Sequence, residues 1–255
     1  MPGRAPGPAP RPGPATEGQT VIRRAMVLAA GRGERMRPLT LTTPKPLLEV
    51  GGRSLIEWHL LKLAAAGVTD VVVNLSWLGE QLPRALGTGE RFGLALYYSD
   101  EGPEPLETAG GIRQALPWLA PSAGPVAAFA VVNGDVWTDA PLPPPAPAGH
   151  ALAHLVLVDN PAQHPRGDFT LAGTPAAGAC LVQPRVEGGL NLTFSGLATY
   201  HPAFFAGLAP GRRPLKPLLD AGIAALQVTG SHWHGRWTDV GTPERLAALD
   251  AALRE

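Results

Sequence analysis

From Val21 onward the chain alternates apolar blocks with amphipathic ones. The runs Ala25–Ala30, Asp70–Asn74, Leu94–Tyr98 and Val126–Val132 are short and apolar along their length, as strands buried on both faces are. Between them, Ser54–Ala66, Trp77–Leu86 and Thr108–Leu119 carry apolar residues at helical spacing. Ser54 suits the N-cap of the first of these helices and Thr108 that of the third. Strands separated by helices predict βαβ units with right-handed crossovers. The expected fold is therefore α/β, a mainly parallel central sheet flanked by helices.

The second half continues the pattern less regularly. Ala151–Val158 and Leu190–Tyr200 read as strands, Leu215–Leu226 and Pro243–Arg254 as helices. Pro141–Gly149 is proline-rich and reads as a surface connection, and Gly173–Gly178 as a hairpin or an exposed loop. Residues 1–20 are dominated by Pro, Gly and Ala, which cannot bury a core, so a disordered extension is expected there. Residues 21–255 then form one domain, with no internal repeat.

Composition narrows the function. A chain of 255 residues can bury a substantial core. Its 21 basic and 21 acidic residues cancel, so no global field recruits nucleic acid and any phosphate recognition is local. The single cysteine, Cys180, excludes an internal disulfide and a Cys-based zinc cluster, and reads as a buried, inert thiol. No apolar run reaches the ~18 residues of a membrane span, and Met1–Gln19 lacks the apolar core of a signal peptide. The expectation is a cytoplasmic protein without a membrane partner. Oligomeric state has no signal here.

The chemistry gathers at a few segments. Gly31-Arg32-Gly33-Glu34-Arg35-Met36-Arg37 follows the first apolar run, and Pro44-Lys45-Pro46 comes soon after. Glycines expose backbone N–H groups and guanidinium forks match phosphate oxygens, so this loop suits a polyphosphate. It is no Walker loop. Nor is it a dinucleotide fingerprint, because Met36 stands where the third glycine belongs, which argues against an NAD-dependent dehydrogenase.

Two aspartates stand out as partners for a cation. Asp135 follows Asn133-Gly134 at the end of an apolar run, where ligands of open parallel sheets bind. Asp239 precedes Gly241 and the helix start Thr242-Pro243-Glu244. One reading of each is a turn or cap residue; the other places both on one Mg²⁺ ion. Glu101 could accept a hydrogen bond from a base imide, although a solvent-exposed role is favoured. The small residues after Thr108 would let a flat base approach the backbone. Asp168 suits a sugar hydroxyl or a plain turn. His232-Trp233-His234 can set both rings on one strand face, but the spacing does not suit zinc. Trp58, Trp77 and Trp118 read as packing residues on helix faces.

On the block Leu28-Ala29-Ala30-Gly31-x-Gly33-x-Arg35-Met36-x-Pro38-Leu39-Thr40, with Pro44-Lys45-Pro46, Asn133-Gly134-Asp135 and Trp237-x-Asp239-x-Gly241-Thr242, the chain resembles the sugar-nucleotide nucleotidyltransferases. The likeness covers about residues 23–254. It extends to the uridylyltransferases of cell-wall recycling through Glu104-Pro105-Leu106-Glu107-Thr108 and Gly167-Asp168-Phe169. The resemblance implies a Rossmann-like nucleotidyltransferase fold. It also implies a nucleoside triphosphate, UTP first among them, and a sugar 1-phosphate as substrates, with Mg²⁺ as cofactor. Mannose 1-phosphate guanylyltransferases are the alternative within the family. Leu28, Ala30, Gly31, Gly33, Glu34, Arg35, Lys45, Glu101 and Thr108 would then bind the nucleotide, Arg35 and Lys45 acting in catalysis. Asn133 and Asp168 would contact the sugar, and Asp135 and Asp239 would hold the metal. The Glu-Lys-Pro segment of many larger relatives is not visible, which leaves a role for Lys216 open.

Overall fold

A computed structural model describes residues 21–121, 127–176 and 179–254. The extension 1–20, Val126 and the tip 177–178 of the Gly173–Gly178 segment lie outside the described residues. The elements run β1 (Arg24–Leu28), β2 (Glu49–Val50), β3 (Arg53–Ser54), α1 (Leu55–Ala65), β4 (Asp70–Leu75), α2 (Gln81–Leu86), β5 (Ala95–Asp100), α3 (Glu107–Leu119), β6 (Phe129–Asn133), β7 (Val136–Thr138), β8 (Ala153–Val158), β9 (Phe169–Ala176), β10 (Ala179–Pro184), β11 (Thr193–Tyr200), α4 (Leu215–Ala224), β12 (Val228–Trp233), β13 (Trp237–Asp239) and α5 (Pro243–Arg254).

The central sheet has nine strands in the order β5-β4-β1-β6-β11-β8-β12-β10-β9. Strands β5, β4, β1 and β6 are mutually parallel, while β11 and β10 run antiparallel to their neighbours. The alternation of side chains explains the uninterrupted apolar runs. Ala25, Val27, Val71, Val73, Ala130 and Val132 pack on one face with Ile56, Leu60 and Leu63 of α1. Met26, Val72, Phe129 and Val131 pack on the other with Ile112 and Ala115 of α3. Both faces are covered, so the middle of each of these strands is apolar and polar residues fall near the ends.

After β1 the chain moves outward to β4 and β5, then returns to the other side of β1 as β6. This reversal opens a crevice at the carboxyl ends of β1 and β6, where open sheets bind ligands. The loop after β1 and the Asn133–Asp135 turn both lie there.

A third apolar cluster sits outside the sheet. Met36, Leu48, Val50, Leu55, Trp137, Val240 and Leu249 join the loop after β1 to the β7–β13 ribbon and α5. Met36, fully buried, is therefore the anchor of its loop.

Several local expectations are corrected. Ser54 does cap α1, and the Glu57 carboxylate accepts from both its N–H and its Oγ at 2.9 Å. Thr108 does not cap α3. That helix begins at Glu107, and its N-cap position is Leu106. Helix α2 starts only at Gln81, because Leu78 takes a positive φ of 52° in the preceding turn. Trp77 therefore lies ahead of the helix, donating its indole N–H to Thr40 O at 2.9 Å. Strands β9 and β10 pair as a hairpin across the Gly173–Gly178 segment. Cys180, on β10, is part-exposed rather than buried.

Candidate active site

The loop after β1 is shaped by two glycines with different needs. Gly33 has φ +60°, and a Cβ there would meet Thr40 Cγ2 at 2.9 Å. Thr40 Oγ1 closes the same turn by donating to Gly33 O at 2.8 Å. A Cβ on Gly31 would meet nothing within 4 Å, since it faces open space. The three arginines separate by partner. Arg37 reaches Glu34 at 3.8 Å and Arg32 donates to Pro103 O. Arg35 makes no ion pair among the described residues, and its side chain lines the crevice.

Lys45 is nearly buried, at 7% exposure, and its Nζ lies 2.7 Å from Asp135 Oδ2. Asp135 is carried to this point by Gly134, whose N–H donates to Leu28 O at 2.9 Å. A Cβ on Gly134 would sit 2.6 Å from that carbonyl, so the turn is confined to glycine.

Asp239 arrives from the far end of the chain. Strand β13 pairs with β7 so that Asp239 faces Val136, and Val240 N–H donates to Asp135 O at 2.8 Å. Asp239 Oδ1 accepts from the Arg245 guanidinium and from Gln163 Nε2. Asp135 Oδ1 and Asp239 Oδ2 have no hydrogen-bond partner among the described residues, and both side chains line one cavity. Two hard oxygens on a shared wall suit Mg²⁺ or a similar divalent cation.

Glu101 is half-buried, not exposed as the sequence favoured. Burial raises its pKa, against the hydrogen bonds it accepts. Its Oε1 accepts from Asn74 Nδ2 at 2.6 Å, and its Oε2 from Leu106 N–H at 2.7 Å. Asn74 Oδ1 in turn accepts from Ala29 N–H at 2.6 Å. This chain of bonds locks the loops after β1 and β5 to the end of β4. The small residues of α3 serve the same packing. A Cβ on Gly111 would strike Glu101 Oε1, and one on Gly110 would strike Gly211 O. They admit protein rather than a flat base.

Two cavities open along the crevice. The larger, about 520 Å³, is lined by all nine residues assigned to the nucleotide: Leu28, Ala30, Gly31, Gly33, Glu34, Arg35, Lys45, Glu101 and Thr108. Asn74, Pro105, Glu107 and Gly241 also line it and were not foreseen. The smaller, about 300 Å³, is lined by Gln163, His164, Thr193, Trp237 and Asp239 among others. Arg35, Asn133 and Asp135 belong to both, so the cavities meet at these three side chains.

Asp168 lines neither cavity. Its Oδ1 lies 3.0 Å from His164 Nε2 and its Oδ2 accepts from Phe194 N–H at 2.8 Å. His164, four residues earlier, faces the space that Asp168 was expected to face. Lys216 pairs instead with Asp220 at 2.5 Å. At the ends of β8 and β12, Asp159, His232 and His234 bring their ligand-type atoms within 4.8 Å of one another, outside both linings. The sequence argues against zinc there for want of Cys partners and of His-x₃-His spacing, a reading confined to one strand. Asp159 comes from another.

Residues 24–158 match the family model described as nucleotidyl transferase. An N-acetylmuramate alpha-1-phosphate uridylyltransferase of Neisseria meningitidis serogroup B is 47% identical over 89% of this chain and 97% of that protein. A mannose-1-phosphate guanyltransferase of Schizosaccharomyces pombe is 31% identical over 87% of this chain and 61% of its own length. Among solved structures, a Bacillus anthracis protein described as a glucose-1-phosphate thymidylyltransferase superposes with a TM-score of 0.73, at 19% identity, over 91% of this chain and 95% of that one. That structural likeness extends to the fold. The matched segment spans the arginine-bearing loop, Lys45 and Asp135. The chain belongs to the nucleotidyl transferase family.

Proposed function

We propose that the protein transfers a uridylyl group from UTP to N-acetylmuramate 1-phosphate, giving UDP-N-acetylmuramate and pyrophosphate, in the cytoplasm and with Mg²⁺. The observation that carries this reading is the junction of a larger and a smaller cavity at Arg35, Asn133 and Asp135. A triphosphate in the first and a sugar phosphate in the second would bring their phosphorus centres together at that wall. The choice of uracil and of the lactyl sugar follows the 47% identical Neisseria relative, which matches over nearly its whole length.

The acceptor's phosphate oxygen is already an anion, so attack on the α-phosphorus needs no general base. A P–O bond forms to that oxygen, the bond from the α-phosphorus to the bridging oxygen breaks, and pyrophosphate leaves with the electron pair. What the protein supplies is alignment and compensation of charge. Backbone N–H groups around Gly31 and Gly33 would hold the triphosphate, with Arg35 against the reacting groups. Lys45, buried and fixed, would present its ammonium from the floor. Asp135 and Asp239 would hold Mg²⁺, which when bound offsets phosphate charge. The Ala29–Asn74–Glu101–Leu106 chain would keep the base end rigid.

The test is pyrophosphate release from each of four nucleoside triphosphates against a panel of sugar 1-phosphates. UTP with N-acetylmuramate 1-phosphate should exceed every other pair. GTP with mannose 1-phosphate as the leading pair would overturn the reading in favour of guanylyl transfer.

A further inference from the structure

Building on the proposed acceptor, we propose that His164, held by Asp168, receives the lactyl carboxylate that distinguishes N-acetylmuramate from N-acetylglucosamine. The 3-O-lactyl ether brings an extra negative charge into a cavity whose wall already carries Asp135 and Asp239. Like charges in a confined site repel, so that carboxylate needs a cationic or strongly donating partner. Of the described residues that line the smaller cavity, Arg35 and His164 alone can carry positive charge, while Lys45 and Arg245 behind it are taken up by Asp135 and Asp239. Arg35 is shared with the larger cavity, where the phosphates would lie, and His164 lines the smaller one alone.

The ring is built into place. Its Nε2 lies 3.0 Å from Asp168 Oδ1, and Asp168 is itself fixed by the Phe194 N–H at 2.8 Å. The segment beneath is pinned as well. His164 N–H donates to Pro161 O, and Asn160 bonds to Asn191 O and Thr193 Oγ1. Gly167 has φ +62°, and a Cβ there would sit 2.7 Å from Asn160 Oδ1 and 2.9 Å from Leu192 O. With Nε2 engaged by Asp168, Nδ1 is the ring atom left to meet a ligand carboxylate, as a charge-assisted donor in the imidazolium form. Nδ1 has no hydrogen-bond partner among the described residues. Asp168 thus acts on the sugar through His164, as a positioning residue.

The experiment compares binding of UDP-N-acetylmuramate and UDP-N-acetylglucosamine by calorimetry, with UTP as a control, for the wild-type chain, His164→Gln, His164→Arg and Asp168→Asn. Loss of one charge-assisted bond should weaken UDP-N-acetylmuramate binding on the order of 10- to 100-fold in His164→Gln. UDP-N-acetylglucosamine and UTP should change by less than about twofold by the same reasoning. His164→Arg should restore most of the preference, and Asp168→Asn should lower it while leaving UTP binding intact. A wild-type chain that prefers the lactyl nucleotide, with a His164→Gln variant that keeps that preference, would overturn the assignment of His164 alone. A wild-type chain with no preference would overturn the lactyl acceptor along with it. Should His164→Gln fail to fold, His164→Arg and Asp168→Asn carry the comparison.

Discussion

Lys45 Nζ stands 2.7 Å from Asp135 Oδ2 and so ties the loop after β1 to the end of β6. The pair joins a candidate phosphate ligand to a candidate metal ligand. On the proposed function, bound Mg²⁺ would give Asp135 a second cationic neighbour and the nucleotide would give Lys45 a second anionic one. Lys45→Met keeps the buried stem and deletes the ammonium. Turnover should fall on the order of 10²- to 10³-fold, as when one fixed donor to a transition state is lost. Steady-state rates beside an unchanged circular dichroism spectrum would check this. A loss below about tenfold by the same yardstick would remove Lys45 from catalysis.

Asp135→Asn and Asp239→Asn probe the proposed shared cation. Each keeps the side chain's size and removes one hard oxygen charge. Both variants should lose turnover by about 10²-fold or more and bind a divalent probe more weakly. Mn²⁺ titration followed by electron paramagnetic resonance reads the second effect without turnover. Wild-type Mn²⁺ affinity in either variant would take that residue off the metal.

Gly33 and Gly31 separate fold from ligand. Gly33→Ala must hold an L-residue at φ +60° with its Cβ against Thr40, which should cost about 1–3 kcal/mol of stability. Gly31→Ala adds a methyl to open space and should leave stability within ~0.5 kcal/mol. Its effect should fall on the Kd for UTP instead. Urea unfolding alongside nucleotide titration distinguishes the pair, and equal destabilisation by both would contradict it.

Acid should weaken the fold through two buried histidines. Burial lowers His59 and His154 to about 4 from their usual 6.5. His59 Nε2 lies 2.8 Å from Val136 O, and among the described residues its buried Nδ1 has no hydrogen-bond partner to stabilise an added proton. Between those values the unfolded chain binds more protons than the folded one. Stability is therefore full above about pH 6.5 and declines as pH falls towards about 4, by roughly 3 kcal/mol per histidine. Denaturant midpoints at pH 7 and pH 5 measure the decline, and His59→Gln should flatten it. An unchanged decline in that variant would assign acid sensitivity elsewhere.

The phosphate loop was legible because its chemistry is contiguous. Gly31, Gly33, Arg35 and Lys45 lie within one short stretch, and glycine beside cationic side chains has few other uses. Strands β1, β4 and β6 were legible for a related reason, since apolar side chains fill the middle of each on both faces. Thr108 misled because a favourable cap residue was outcompeted by docking of residues 211–213 onto the start of α3, whose Ala109 and Gly110 N–H groups bond to Arg213 O. The meeting of Asp135 with Asp239 depends on the β7–β13 pairing, two strands of three residues too short to announce themselves. Asn74 and Glu101 hid for another reason. Each reads as an ordinary polar residue at a strand end until its partner on the next strand is known. Asp168, which reads equally as a sugar contact or a turn residue, lines neither cavity, while His164, bonded to it, lines the smaller one.

The cluster of Met36, Val240, Trp137 and Leu249 makes the last helix a buttress for the first loop. Asp250 reinforces it by accepting from Gly51 N–H at 2.8 Å. Beginning and end of the polypeptide are thus mechanically one device, and slackening the tail would blur the aim of the arginine and lysine some two hundred positions upstream.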